Sequence, residues 1–222
     1  MQEKVKHRGL IGGWDNQFIE ARASWLHDRN PLRPYARLTS EKISNGFFNG
    51  GRFAEHDPEG YGIACRELWR RAQESTKAFG VTRIIGAAMG AITLACRIGE
   101  AARIPWAYAE KVGDGFAFTR AELQPDERFL IVEDTITTGG TLEKLKAAAL
   151  TACPRAEFST IVLALCNRSG KPRAANLEII SLITPAIMAW DEGENPFTSD
   201  GKELVEPVRP KTHWHELTRD YP

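Results

Sequence analysis

The stretch that decides the fold is Phe129-Leu-Ile-Val-Glu-Asp-Thr-Ile-Thr-Thr-Gly-Gly-Thr141. Its apolar start predicts a strand that is buried on both faces, as in a parallel sheet. The carboxylates of Glu133 and Asp134 follow, and a turn of Thr and Gly leads into a helix that we predict to begin near Thr141. Ligands of open α/β sheets bind beyond the carboxyl ends of the strands, so this junction is a candidate binding site.

The turn and the two acids suit different parts of one ligand. A helix N-terminus presents free N–H groups and a partial positive charge, which favours a phosphate. Thr137, Thr138 and Thr141 add hydroxyl donors, and Gly139 and Gly140 allow close approach of the backbone. The carboxylates would repel a phosphate but would accept hydrogen bonds from a ribose diol. The pattern therefore predicts a sugar phosphate as ligand, and the alternative is a structural junction capped by Thr.

The rest of the chain alternates strands with helices. Apolar runs predict strands at 82–86, 105–110, 116–119, 129–132, 159–165 and 177–182. Between them, periodicity and capping residues predict helices at 58–79, 91–102 and 141–152. This alternation is typical of an α/β fold, here a five-stranded parallel sheet with helices on both faces.

Two further segments flank this core. The first 30 residues predict a helix with Trp14, Phe18, Trp25 and Leu26 on its apolar side. From residue 191 the chain is polar and rich in proline, which predicts an appendage that wraps or caps the core. We expect three parts: an N-terminal helix and hood at 1–55, an α/β core at 56–190, and a C-terminal appendage at 191–222.

Composition limits the possible partners and location. The 222 residues include 29 basic and 29 acidic residues, and a zero net charge argues against a general nucleic-acid binder. The sequence contains no apolar run of about 18 residues, so we expect no membrane span. The widely spaced cysteines and the charged N-terminus favour a reducing cytoplasm over secretion.

The signature stretch resembles a known family motif. Val132-Glu-Asp-Thr-Ile-Thr-Thr-Gly-Gly-Thr141 is similar to the phosphoribosyl-diphosphate (PRPP) signature of type I phosphoribosyltransferases. Three other segments resemble the orotate phosphoribosyltransferase branch, and the likeness spans roughly residues 38 to 190. They are Ile85-Gly-Ala-Ala-Met-Gly-Ala-Ile92 for the pyrophosphate loop, Ala107-Tyr-Ala-Glu-Lys111 for the strand before the flexible catalytic loop, and Leu38-Thr-Ser-Glu-Lys-Ile-Ser-Asn-Gly-Phe-Phe-Asn49 for base binding.

The resemblance implies a role for each matching residue. Glu133 and Asp134 would hold the ribose hydroxyls, and Lys111 would be the catalytic group that meets the pyrophosphate. The PRPP phosphates would contact Thr135, Thr137, Thr138, Gly139, Gly140 and Thr141 in the signature, and Ala87, Ala88, Met89 and Gly90 in the pyrophosphate loop. The base would contact Arg168, Phe47, Phe48 and Lys42.

The implied reaction joins a nitrogenous base to C1 of PRPP and releases pyrophosphate. Orotate is the expected base, which would give orotidine 5′-monophosphate in pyrimidine nucleotide biosynthesis. Mg²⁺ would be bound mainly through PRPP and pyrophosphate oxygens, and we predict no metal site built from protein ligands. The resemblance also implies a homodimer, because the family's flexible loop reaches the neighbour's site.

Two departures from the family pattern leave alternatives open. Thr39 stands where the family usually has Lys or Arg, which leaves a base other than orotate as an alternative. The segment Val112-Gly-Asp-Gly-Phe116 carries no Lys or Arg, although the family's loop is usually basic. The second hypothesis is therefore a paralogue that senses PRPP or a nucleotide without turnover.

Overall fold

The structure is a computed structural model that describes residues 23–218. In chain order its strands are β1 (Ser24–Leu26), β2 (Ala36–Arg37), β3 (Ile43–Ser44), β4 (Gly46–Phe48), β5 (Arg83–Ala87), β6 (Trp106–Val112), β7 (Gly115–Ala117), β8 (Arg128–Ile136), β9 (Glu157–Asn167), β10 (Arg173–Ala174), β11 (Leu177–Ile183) and β12 (Ala189–Trp190). The helices are α1 (Gly50–His56), α2 (Pro58–Phe79), α3 (Ile92–Ala102), α4 (Gly140–Ala152) and α5 (Trp214–Thr218).

A seven-stranded sheet forms the centre, in the order β10-β11-β9-β8-β5-β6-β7. The five inner strands, from β11 to β6, are parallel to their neighbours, and the edge strands β10 and β7 are antiparallel. The predicted α/β class and its five-stranded parallel core are therefore confirmed. Because these strands are parallel, the loops that follow β5, β8 and β9 lie along one edge of the sheet.

Helices cover both faces of the sheet, as the apolar strands require. Leu68 of α2 and Leu94 of α3 pack against one face, and Leu145 of α4 packs against the other. Helix α2 has the predicted limits: the Asp57 carboxylate accepts a hydrogen bond from the N–H of Gly60, and Gly80 ends the helix with a φ of 72°. These contacts fix the loops at the carboxyl edge of the sheet.

The hood, residues 23–55, contains strands β1 to β4 and most of helix α1. The helix predicted for the first 30 residues is wrong at Trp25 and Leu26, which lie in β1 and pair with Phe47 and Gly46 of β4. Antiparallel pairing buries Trp25 in a small cluster, and this tertiary contact overrides the local pattern. The predicted helix residues Trp14 and Phe18 lie outside the described residues.

The tail, residues 191–218, packs against the hood. Val208 forms a parallel bridge to Ala36, and Leu217 of α5 is buried with Trp25. Just before the tail, Trp190 pairs with Ile43. These contacts agree with an appendage that caps, while the three-part division of the chain stays a prediction.

Two further findings concern the helices and the cysteines of the described residues. Within residues 23–218, no helix combines the length and apolar character that crossing a bilayer requires. The four cysteines form no disulfide bond in this part of the chain.

Candidate active site

A cleft of about 500 Å³ lies between the carboxyl edge of the sheet and the hood. It is lined by hood and helix residues, by the ends of β8 and β9, and by the tail. The lining consists of Thr39, Phe47, Phe48, Asn49, Gly50, Gly51, Ala54, Glu55, Tyr61, Met89, Gly90, Thr93, Asp134, Thr135, Thr137, Arg168 and Lys211. The structure thus brings residues from four separate predicted segments into one cavity.

The two signature acids lie within β8 and not after it. The strand was predicted to end at Val132, but pairing with β9 continues to Ile136. Successive side chains of a strand point to opposite faces, so the acids have different environments. Asp134 lines the cleft, whereas Glu133 is buried and does not line it.

Asp134 is enclosed by backbone on two sides. The N–H of Thr135 donates a hydrogen bond of 2.8 Å to its Oδ1. A Cβ atom on Gly90 would lie 2.6 Å from Oδ2, and one on Gly50 would lie 3.4 Å from the Cβ of Asp134. Side chains are therefore excluded at Gly90 and crowded at Gly50, and the loop after β5 and the start of α1 both close on this carboxylate.

The two carboxyl groups differ in their tendency to ionise. Burial raises the pKa of Glu133 well above its ordinary value, and the negative charge of Asp134 raises it further. Its Oε2 has no hydrogen-bond partner among the described residues. Burial also raises the pKa of Asp134, but the Thr135 N–H and the positive charge of Lys211 act in the opposite direction. Of the two carboxyl groups, Glu133 is therefore the one whose neutral form is more strongly favoured.

The turn after β8 has the geometry of an anion site. Gly139 adopts a left-handed conformation with φ of 87°, and α4 begins at Gly140 without a side-chain cap. Uncapped N–H groups at a helix start are available to a phosphate. Thr135 and Thr137 line the cleft. The remaining predicted residues form the turn and the start of α4 outside the lining: Thr138, Gly139, Gly140 and Thr141.

The loop after β5 supplies part of the opposite wall. Met89 and Gly90 line the cleft, and Met89 is 82% exposed. Ala87 ends β5, and the N–H of Ala88 donates a hydrogen bond of 2.8 Å to Ala109 O. Because this N–H group already bonds within the sheet, it is not available to donate a hydrogen bond to pyrophosphate. The Ala88–Met89 peptide bond is cis.

The segment after Lys111 is a tight hairpin and not the predicted flexible loop. Lys111 pairs with Phe116, and Val112 with Gly115, which leaves a turn of two residues. Gly113 has a φ of 55°, and two-residue hairpin turns need such conformations. The structure places Lys111 outside the residues that line the cleft.

Arg168 lines the cleft at the end of β9. Its backbone N–H donates a hydrogen bond of 2.8 Å to Ile136 O. Its Nε is buried without a hydrogen-bond partner among the described residues, and burial lowers the pKa of the guanidinium. Asn167 fixes this loop by bonding to Ser169 and to Lys171 O. A buried Nε–H group without a partner is costly unless a ligand accepts a hydrogen bond from it.

The other predicted base-binding residues divide into two groups. Phe47 and Phe48 both line the cleft, and Phe48 is also part of the core. Lys42 does not line it, because its Nζ lies 2.8 Å from Asp191 Oδ2 in an ion pair at the start of the tail. A base contact by Lys42 would require this ion pair to break.

Sequence reasoning missed several lining residues. Lys211 lies in a tail without periodicity, so nothing in the pattern indicated that it reaches the site. Asn49 ends the segment predicted to bind the base but was given no role of its own, and its side chain caps α1. Tyr61 belongs to a predicted helix whose orientation the sequence left open, and it packs on Phe53. Glu55 and Thr93 carried no signal either.

The chain is similar to known phosphoribosyltransferases. No family model matches the chain. A protein from Pelotomaculum thermopropionicum named orotate phosphoribosyltransferase is 29% identical over 179 residues, covering 79% of this chain and 89% of the relative. Among solved structures, orotate phosphoribosyltransferase from Aeropyrum pernix matches with a TM-score of 0.54 and 19% identity over 76% of this chain and 92% of that chain. Adenine phosphoribosyltransferase from Thermoanaerobacter pseudethanolicus gives 0.56 and 14% over 76% and 99%.

The structural matches show that the chain has the type I phosphoribosyltransferase fold. The relatives that share most of its length are named orotate phosphoribosyltransferase. The resemblance predicted from the sequence is therefore confirmed, both by the fold and by the relatives.

The raised pKa of Glu133 predicts a pH dependence of stability. The native state retains a proton that the unfolded chain releases near the ordinary value of 4.5. The free energy of unfolding should therefore decrease as the pH rises from about 4.5 through the native pKa. Glu133→Gln stays neutral and should show a smaller decrease in urea titrations across pH 4.5 to 8. The control Glu178→Gln, at an exposed position of β11, should follow the wild-type profile. Superimposable profiles for Glu133→Gln and wild type would contradict the assignment.

Proposed function

We propose that this protein is an orotate phosphoribosyltransferase: it joins orotate to C1 of PRPP, releases pyrophosphate and forms orotidine 5′-monophosphate. The observation that carries the proposal is the half-buried side chain of Arg168, whose Nε is buried without a hydrogen-bond partner among the described residues, in the same cleft as Asp134 and Thr137. A planar guanidinium fork matches a base that carries a carboxylate. Relatives of this name share most of the chain's length.

Each part of the cleft suits one part of the substrates. The turn before α4 offers N–H groups and hydroxyls to the 5′-phosphate. Asp134, with Glu133 behind it, accepts hydrogen bonds from the ribose diol. In this assignment Phe47, Phe48 and Arg168 would contact the base. Ribose C1 would then lie between base and pyrophosphate, as transfer requires.

The chemistry needs positioning more than proton transfer. Positive charge develops at ribose C1 as the bond to pyrophosphate breaks, and the base nitrogen then forms the new bond. Holding both reactants in line supplies a large part of the rate. A carboxylate at Asp134 would add electrostatic stabilisation next to the developing cation.

Mg²⁺ would be held mainly by the substrate. The described residues contain no group of three or more His, Cys, Asp or Glu side chains placed to bind a metal. Asp134 is one carboxylate in the cleft, which suits a cation that takes most of its oxygen ligands from PRPP and water. Bound Mg²⁺ would neutralise the charge of the leaving pyrophosphate.

The short hairpin favours a second candidate function, binding of PRPP or a nucleotide without turnover. A long loop can close a site and exclude water, but the turn after Val112 has only two residues. In the enzymatic proposal Lys111 meets the pyrophosphate from the hairpin. Pyrophosphate release from PRPP and Mg²⁺, assayed with orotate, uracil and purine bases, separates the two candidates, since only the enzyme gives steady release.

The ribose assignment predicts the effect of Asp134→Asn. The variant loses a charged acceptor, and bonds of this kind are worth roughly 1.5–3 kcal/mol. PRPP should bind about ten- to a hundredfold more weakly in calorimetry with Mg²⁺. The control Asp126→Asn alters an exposed acid that pairs with Arg155 outside the cleft, and it should bind PRPP normally. Unchanged PRPP affinity of Asp134→Asn would place the ribose elsewhere.

The base assignment predicts the effect of Arg168→Ala. Loss of the guanidinium should raise the KM for orotate about ten- to a hundredfold and leave PRPP affinity close to wild type. The matched control is Arg173→Ala, which removes an arginine that follows the same loop but bonds to Asn176 O. Steady-state kinetics with each substrate varied would test this. Wild type that ignores orotate and turns over a neutral base would overturn orotate but not phosphoribosyl transfer.

We also propose a cytoplasmic homodimer. The resemblance bases the dimer on a flexible loop, which the hairpin does not supply. Exposed apolar side chains on β6 support it instead: Val112 is 55% exposed and Trp106 is 36% exposed. Light scattering should give twice the chain mass of 24.7 kDa, and an active monomer at working concentration would refute the dimer.

A further inference from the structure

The cleft contains a second cation that comes from the tail. Among the residues that line it in the described part of the chain, Arg168 and Lys211 carry the positive charges. Arg168 lies at the end of β9, whereas Lys211 follows all strands of the main sheet. Thr39, which lines the same cavity, is neutral. On the hood side of the cleft, the positive charge therefore comes from the tail.

Contacts before Lys211 hold the tail on the hood. The Arg209 Nη2 lies 2.7 and 2.9 Å from the two carboxylate oxygens of Glu41. Its Nη1 donates a hydrogen bond of 3.3 Å to Leu38 O, next to Thr39. The N–H of Arg37 donates a hydrogen bond of 2.8 Å to Val208 O. These bonds attach the tail to the segment predicted to bind the base.

Contacts after Lys211 hold it from the other side. The N–H groups of Thr212 and His213 donate hydrogen bonds to Arg209 O and form a tight turn around Lys211. Trp214 then contacts the ring of Phe47, at a centroid distance of 6.4 Å, and the guanidinium of Arg52, at 5.7 Å. Lys211 is thus presented from a fixed turn and not from a loose chain end.

The charges that line the cleft indicate a role for Lys211. The positive charge of Lys211 acts to lower the pKa of Asp134, so the two groups are electrostatically coupled. An anionic base would be repelled by Asp134 and by Glu55, which also lines the cavity. Arg168 alone offsets one of these negative charges. A second cation on the hood side would offset the other and hold the substrate's carboxylate.

We propose that Lys211 is a specificity-determining residue that binds the carboxylate of the anionic base, so that the tail completes the base site. The inference rests on the proposed function and deepens it. The alternative for the same ammonium is a contact with the PRPP phosphates. The two differ in which substrate's KM depends on Lys211.

The test compares Lys211→Ala, Lys211→Arg and the control Lys202→Ala, whose exposed lysine lies in the same tail outside the cleft. Lys211→Ala should raise the KM for orotate about tenfold, because one charge-assisted hydrogen bond is lost. Its KM for PRPP should change less than about twofold. Lys211→Arg retains the charge and should keep most of the orotate affinity, and Lys202→Ala should match wild type.

The outcomes separate the inference from the function it rests on. Wild type without orotate turnover overturns both. Wild type that uses orotate, together with an unchanged orotate KM in Lys211→Ala, overturns the role of Lys211 alone. A rise confined to the PRPP KM also overturns it in favour of a phosphate contact, and an equal loss in Lys211→Ala and Lys211→Arg overturns the charge-based argument.

Discussion

The close approach of two backbone segments to the Asp134 carboxylate is the constraint on which the site depends. Gly90 leaves no space for a Cβ atom beside Oδ2, and Gly50 leaves little beside the Asp134 Cβ. The loop after β5 and the start of α1 therefore meet over the end of β8. The cleft exists because three distant parts of the chain converge on one side chain, which the parallel sheet holds in place.

Electrostatics within this arrangement are set by burial as much as by sequence. Adjacent acids in a motif suggest two equivalent carboxylates, but strand alternation gives them unlike surroundings. Glu133 is withdrawn into the protein and favours its neutral form, while Asp134 faces the cleft with a backbone donor and a lysine nearby. The buried Nε–H group of Arg168 remains available to donate a hydrogen bond to a ligand.

The sequence predicted the core better than its margins. Apolar runs and capping residues placed the parallel strands and the limits of α2, because burial on both faces and helix-end chemistry are local in sequence. The strand at Trp25 was not predictable in this way, since its partner Phe47 is supplied by a distant segment. The two strands of the hairpin after Lys111 were predicted at 105–110 and 116–119, whereas the flexible loop between them was implied by the family resemblance alone. Lys211 had no signal, because the polar tail is placed by contacts with the hood.

The dependence of the cleft on the tail also has a consequence for the order in which the protein is made. Residues 208 to 217 follow every strand of the main sheet and pack on β1, β2 and Phe47 of β4. The sheet can therefore assemble while the tail is still inside the ribosome, but the hood side of the cavity cannot close. A chain released early, or cleaved by a protease after residue 207, would retain a folded core. Its cleft would be open on the hood side and would carry less positive charge.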